Sequence, residues 1–192
     1  MKKIALTSLL AVFAVSGAHA ATDYFVGGSF AFLTNEEHTS TFGVVPEFGW
    51  KYNDKWDFGV KAGFAREHEE DENIYTYGAG VFARYNVVQF GDFKVLVRGD
   101  ADIEFSTYDK DDFDAETFTS IGFSVAPMVT YDISESFTLY AKLNFLSVDA
   151  RYNFKHDSDY MSRDKNWNVE VLGDSDNVAN TEDFQIGFTY NF

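Results

Sequence analysis

The chain contains no cysteine. A disulfide framework, thiolate metal ligation and lipid attachment at a cysteine are therefore all excluded. Only two prolines occur, Pro46 and Pro127, so no proline-rich linker divides the chain. Basic residues are scarce, 15 Lys and Arg against 31 Asp and Glu, and nucleic acid needs a basic footprint that this balance denies. Beyond the first twenty residues no run is apolar enough to cross a membrane as a helix. Yet 18% of the residues are aromatic. A chain this acidic and this aromatic calls for a fold that keeps the two classes of side chain apart.

The N-terminal residues are set aside first. Lys2 and Lys3 precede an apolar stretch from Ile4 to Val15, broken by Thr7 and Ser8, and Ala18-His19-Ala20 has the small-x-small pattern of a cleavage site. Residues 1–20 are expected to be a secretory signal peptide cut after Ala20, too short in its apolar part to serve as an anchor. Residues 21–192 are then expected to form one domain.

Within that domain the hydrophobic period is two, the period of a strand. Phe93, Val95, Val97, Gly99, Ala101, Ile103 and Phe105 alternate with Lys94, Leu96, Arg98, Asp100, Asp102 and Glu104. One face is apolar and the other mostly charged. The same alternation runs through 24–32, 41–50, 56–65, 75–87, 120–131, 137–145 and 183–192. This predicts an all-β fold, an eight-stranded antiparallel up-and-down transmembrane β-barrel. The connections 51–55, 89–92 and 132–136 are short, whereas those around Asn35, Glu69 and Asp111, and from about 149 to 181, are long and polar. Short turns at one end and long loops at the other is the outer-membrane arrangement, with the loops outside the cell and both termini in the periplasm. The last gap reads as too polar for another membrane strand, with room for a short hairpin above the membrane.

A soluble eight-stranded barrel has its apolar face inward. Here the apolar face carries aromatics at both margins. Trp50, Trp56, Tyr85, Tyr131 and Tyr190 fall near one end, and Phe32, Phe42, Phe64, Tyr75, Phe105 and Phe145 near the other. That is the pattern of a girdled lipid-facing surface. The opposite face mixes Gly, Ser and Thr with charge. Lys61, Arg84, Arg98 and Lys142 stand against Glu47, Asp100, Asp102 and Glu104. Because an unpaired buried ion costs several kcal/mol, these eight residues are expected to form an ion-pair network inside the barrel, with small inner residues leaving room for their long side chains. Pro46 and Pro127 fall mid-strand, where each removes a ladder donor, so a bulge or a widened pair is expected at each.

At the C-terminus Phe184, Ile186, Phe188, Tyr190 and Phe192 alternate to the final residue. This looks like the C-terminal strand signal read by the barrel assembly machinery. Together with the leader and the eight strands, it makes the chain resemble the small outer-membrane barrels of the OmpA transmembrane domain and OmpX. The resemblance is one of pattern over nearly all of 21–192. Nothing after the eighth strand suggests the peptidoglycan-binding domain of full-length OmpA. What the resemblance implies is insertion by the barrel assembly machinery and a place in outer-membrane lipid and lipopolysaccharide. It also implies roles in envelope integrity, in surface interaction through the outer loops, or in limited transport.

Catalysis has little to build on. His38, His68 and His156 fall in or beside the long loops, with Asp157, Asp159, Ser40 and Ser158 nearby, but no spacing matches a metal or hydrolase motif. The acidic runs 67–72 and 109–116 lack the ligand order of a calcium loop and read as solvated charge. No cofactor and no catalytic residue is expected, and the chain reads as a monomer. A structural or surface-interaction role comes first. A narrow ion or small-solute channel is the alternative, and a membrane-embedded hydrolase a distant third. In the last loop Tyr160, Met161, Trp167 and Val169 are candidate surface contacts.

Overall fold

A computed structural model of the chain describes residues 24–34, 40–69, 72–110, 116–157, 162–171 and 184–192; residues 1–20, expected from the sequence to be a signal peptide, lie outside them. Strands β1 (Tyr24–Thr34), β2 (Ser40–Lys51), β3 (Trp56–Glu69), β4 (Glu72–Phe90), β5 (Phe93–Lys110) and β6 (Glu116–Asp132) follow one another as antiparallel neighbours. The seventh stave is built from β7 (Phe137–Leu143), a 3-10 turn over Asn144–Leu146 and β8 (Val148–Asn153), all lying along β6. Two short strands, β9 (His156–Asp157) and β10 (Ser162–Arg163), and then β11 (Asn166–Val171) complete a hairpin on β8. Finally β12 (Phe184–Asn191) pairs with β7 on one side and β1 on the other, which closes an eight-stranded antiparallel barrel.

Closure is what the alternation demands. A sheet with one wholly apolar and one ionic face has no edge to leave bare in lipid, where each unsatisfied backbone group costs several kcal/mol. The faces fall as the period of two requires. Phe93 and Val97 are 52% and 39% exposed, whereas Arg98 and Asp100 are 3% and 5% exposed. Val60, Val81, Phe123, Val125 and Ile186 are likewise exposed on the outside.

Aromatic rings gather at the turn end of that outer face. Trp56 meets Tyr85 at 4.9 Å, Phe93 meets Tyr131 at 4.6 Å and Phe137 stacks on Phe188 at 5.6 Å. Phe64 and Tyr77 pair at 5.3 Å toward the loop end. So continuous a band of exposed apolar side chains far exceeds what a soluble monomer shows to water.

Local chemistry sets the turns. Between β2 and β3 the Asn53 Oδ1 accepts from the Lys55 and Trp56 amides, both at 2.9 Å. Gly91 turns the chain between β4 and β5 with φ of 59°, a left-handed value open to glycine. The ladder is interrupted at both prolines. From β2 to β3 it skips Val45 and Pro46 and resumes in the same register. At Pro127 the partner strand departs further: β6 pairs with β7 as far as Met128 and with β8 from Val125, and the 3-10 turn stands opposite the gap. A third irregularity, between Asn86 and Val88 on β4, has no proline to announce it.

The seventh and eighth staves differ from their sequence reading. The gap read as loop from about 149 contains β8 and β11, which continue the barrel wall. Val125, Val148 and Val171 form one row of partners, and Ile121, Tyr152 and Trp167 another. Val148, Val169, Val171 and Trp167 are exposed, so their row extends the outer apolar face. The physical reason is a phase slip. Asn144–Leu146 inserts a turn, with Phe145 and Leu146 both exposed and Asn144 and Ser147 buried. After it, the outward residues of the seventh stave, on β8, fall on even numbers instead of odd.

Candidate functional site in the barrel interior

Each strand delivers its polar row to the lumen, and the ion pairs there join into one chain of contacts. Glu47 of β2 accepts from Arg84 of β4 at 2.5 Å and pairs with Arg98 of β5 at 2.6 Å. Arg98 also reaches along its own strand to Asp100 at 2.8 Å. Asp100 has a fully buried side chain and gathers two more cations, Lys61 at 3.0 Å and Lys142 at 3.3 Å. Lys61 continues to Asp102 at 2.9 Å. Glu104 is held by Arg151 of β8, which lies 3.9 Å from Asp102 and donates at 2.8 Å to Ser120. The eight residues singled out from the sequence thus all point inward, each in contact with at least one opposite charge.

Register explains the partners. Glu47 and Lys61 are cross-strand neighbours, yet Lys61 turns the other way. Its neighbour on β4 is Gly80, whose own neighbour on β5 is Asp102. Lys61 and Asp102 meet across the space a side chain would otherwise fill; a Cβ on Gly80 would lie 2.5 Å from the Ala101 carbonyl and 2.8 Å from the Asp102 Cβ.

Aromatic rings close the turn-end side of the network. The Arg84 guanidinium lies 4.9 Å from the Phe25 ring, 4.7 Å from Phe82 and 5.4 Å from Tyr140, and Arg98 lies 4.3 Å over Phe82. Cations over ring faces gain most where water is excluded. Three inner glycines make room for these rings. A Cβ at Gly49 would meet the Phe25 ring at 2.2 Å, one at Gly59 the Phe82 ring at 2.3 Å, and one at Gly187 the Tyr140 ring at 2.3 Å. The small residues therefore house aromatics as well as ions.

Side chains fill the middle of the lumen. A void beside Lys61, Asp102 and Glu104 measures about 10 Å³, room for about one water. At the turn end a larger cavity of about 370 Å³ opens beneath the rings.

Among solved structures the chain resembles the N-terminal β-barrel domain of Pseudomonas aeruginosa OprF. Identity is 12%, the TM-score is 0.52, and 91% of this chain and 100% of that one are covered. Neisserial surface protein A is similar at 15% identity, with a TM-score of 0.50 and coverage of 91% and 99%. This is the fold of the small eight-stranded outer-membrane barrels. At such identities the likeness is one of fold. No family model matches the chain, and no curated protein matches it.

Sequence reading of this outer-membrane barrel fold missed several inner residues. Arg151 and Asp149 went unread because they follow the phase slip. With them the buried mid-barrel charges number five cations and five carboxylates among the described residues, Asp149 being buried and accepting from the Ser147 hydroxyl. Phe25, Phe82 and Tyr140 carried a signal, each being a lone ring in a row whose nearest members are small, polar or charged. At the closing seam Gln185 of β12 donates to Ser29 of β1 at 2.5 Å.

The loop candidates divide. His38, Ser158, Asp159, Tyr160 and Met161 lie outside the described residues, as do the side chains of Ser40, His156 and Asp157. His68 sits 3.0 Å from the Asn73 Oδ1. Trp167 packs on Tyr152 at 5.2 Å. Among the described residues no cluster of three His, Asp or Glu side chains is placed to hold a metal ion.

Proposed function

We propose that the chain is an integral outer-membrane protein whose barrel is closed by the inner ion-pair network and whose role is structural and surface-interacting. The observation that carries this reading is the unbroken line of contacts from Arg84 through Glu47, Arg98, Asp100 and Lys61 to Asp102. Packed with rings at one side, it fills the lumen that a porin would leave open. In this reading the short turns and both termini face the periplasm and the long loops face outward among lipopolysaccharide. The protein acts as a monomer without cofactor or catalysis, its outer face covered by lipid. Phe184, Ile186, Phe188, Tyr190 and Phe192 serve as the assembly signal. Exposed apolar residues at one edge of β11, Trp167 and Val169, lead from the wall toward the outer loops, where a surface ligand would be met.

A second reading, a narrow ion pathway, draws on the same charges: paired groups that exchange partners open a file for small ions. Planar-bilayer recording of the refolded chain separates the two. A silent bilayer supports the closed barrel. A reproducible unitary conductance that changes when Arg98 or Lys61 is neutralised supports the pathway.

A further inference from the structure

We propose that the turn end of the outer face carries a headgroup site for an anionic phospholipid, built on Lys55 and the ring cluster around Phe58. Five rings form one patch there. Trp50, Tyr52 and Trp56 pack on Phe58 at 6.3, 5.9 and 5.9 Å, and Trp56 meets Tyr85 at 4.9 Å. Trp50, Tyr52 and Trp56 are exposed. Two of the chain's three tryptophans thus stand at one margin of the lipid face, where an indole keeps its ring in hydrocarbon and its N–H among headgroups. The Lys55 ammonium is seated over the outward Tyr85 ring at 5.7 Å. A stem laid along rings with its charge at the rim is how a lysine reaches a membrane surface.

Charge at this end is sorted by face. Asp57, Asp92, Asp132 and Glu135 line the cavity inside the barrel, with Lys51, Arg84 and Lys94 among them. Lys94 is held by Asp132 at 2.7 Å, and Asp57 is the cross-strand neighbour of Arg84. Lys55 stands on the other side of the wall. Among the described residues it makes no ion pair, even with Asp54 beside it in the turn. An ammonium and two indole N–H groups only donate, so the group that answers them is an oxygen acceptor carrying negative charge. At the rim of a lipid face that group is a phosphodiester. Phosphatidylcholine and phosphatidylethanolamine bring a cation of their own, which a lone lysine repels; phosphatidylglycerol brings none. The chain's net charge of −16 repels anionic lipid in general, so a preference for it requires a cation on the lipid side. Assigning the lipid to the periplasmic leaflet rests on the orientation proposed above; the site itself rests on the outer face.

The test is quenching of tryptophan fluorescence by brominated lipid. In Trp167→Phe protein both remaining tryptophans belong to the cluster, so their emission reports the lipid against it. The chain is refolded into phosphatidylcholine vesicles containing either brominated phosphatidylglycerol or brominated phosphatidylcholine at the same fraction. At low salt the brominated phosphatidylglycerol is expected to occupy the patch about three- to fivefold more often. The preference is expected to vanish at about 1 M salt, where exposed charges are screened. Lys55→Gln is expected to abolish it, and Lys51→Gln, in the cavity, to leave it. Equal quenching by the two lipids with Lys55 in place overturns the proposal, as does a preference that survives Lys55→Gln or high salt. Quenching by neither overturns the lipid-facing wall as well, which separates failure of the site from failure of the proposed membrane placement. The salt comparison keeps Lys55 and decides the matter even if a variant fails to refold.

Discussion

Asp100 is the residue on which most of the interior converges. Its carboxylate meets Arg98, Lys61 and Lys142, and its side chain is wholly buried. Removing the charge takes a buried partner from three cations at once. Asp100→Asn, close in shape, is expected to lower stability by about 3–5 kcal/mol, read from urea unfolding of the barrel in lipid vesicles. A loss under about 1 kcal/mol would mean that the lumen is wet enough to hydrate the cations. Glu47 and Arg98, 2.6 Å apart, are expected to show a coupling energy above about 1 kcal/mol in a double-mutant cycle. Additive single effects would show that the contact contributes geometry alone. These charges were legible in the sequence because four of them, Arg98, Asp100, Asp102 and Glu104, share one face of one strand. Their partners were not legible. Pairing depends on which strand brings a glycine between two charges, as Gly80 does between Lys61 and Asp102.

Single strands carry their own consequences. On β2, Gly49 lies under the Phe25 ring of β1. Gly49→Ala is expected to cost about 1–3 kcal/mol by overpacking, and Phe25→Leu in the same chain to recover a large part of it. Independent costs would show that the ring moves aside freely. On β12, the alternation ending at Phe192 is read as the assembly signal. Deleting Phe192 is expected to reduce the folded, heat-modifiable band in the outer-membrane fraction severalfold while leaving refolding in detergent unchanged. Equal loss in both would assign Phe192 to packing instead. Strand content was easiest to read where the period of two runs unbroken, as in β5. It was hardest in the seventh stave, where Asn144–Leu146 shifts the phase and the outward set passes from Phe137 and Leu139 to Val148, Ala150 and Tyr152. A period carries no information about an inserted turn; only the cross-strand register on β6 does.

At the scale of the whole molecule, one asymmetry organises everything else: apolar side chains outside, ions and rings inside, and a barrel closed through the pairs of β12 with β1 and β7. The sequence lacks cysteine, so single cysteines introduced for labelling report unambiguously. Val81 and Phe123 are 56% and 50% exposed on the outer face of neighbouring parts of the wall. Nitroxides placed by Val81→Cys and Phe123→Cys in liposome-inserted protein are expected to collide freely with oxygen dissolved in lipid and to be shielded from a water-soluble nickel chelate. A label in the β2–β3 turn at Asn53, which is exposed, is expected to show the reverse. Nickel contact at Val81 and Phe123 equal to that at Asn53 would place the apolar rows in water and contradict the transmembrane barrel directly.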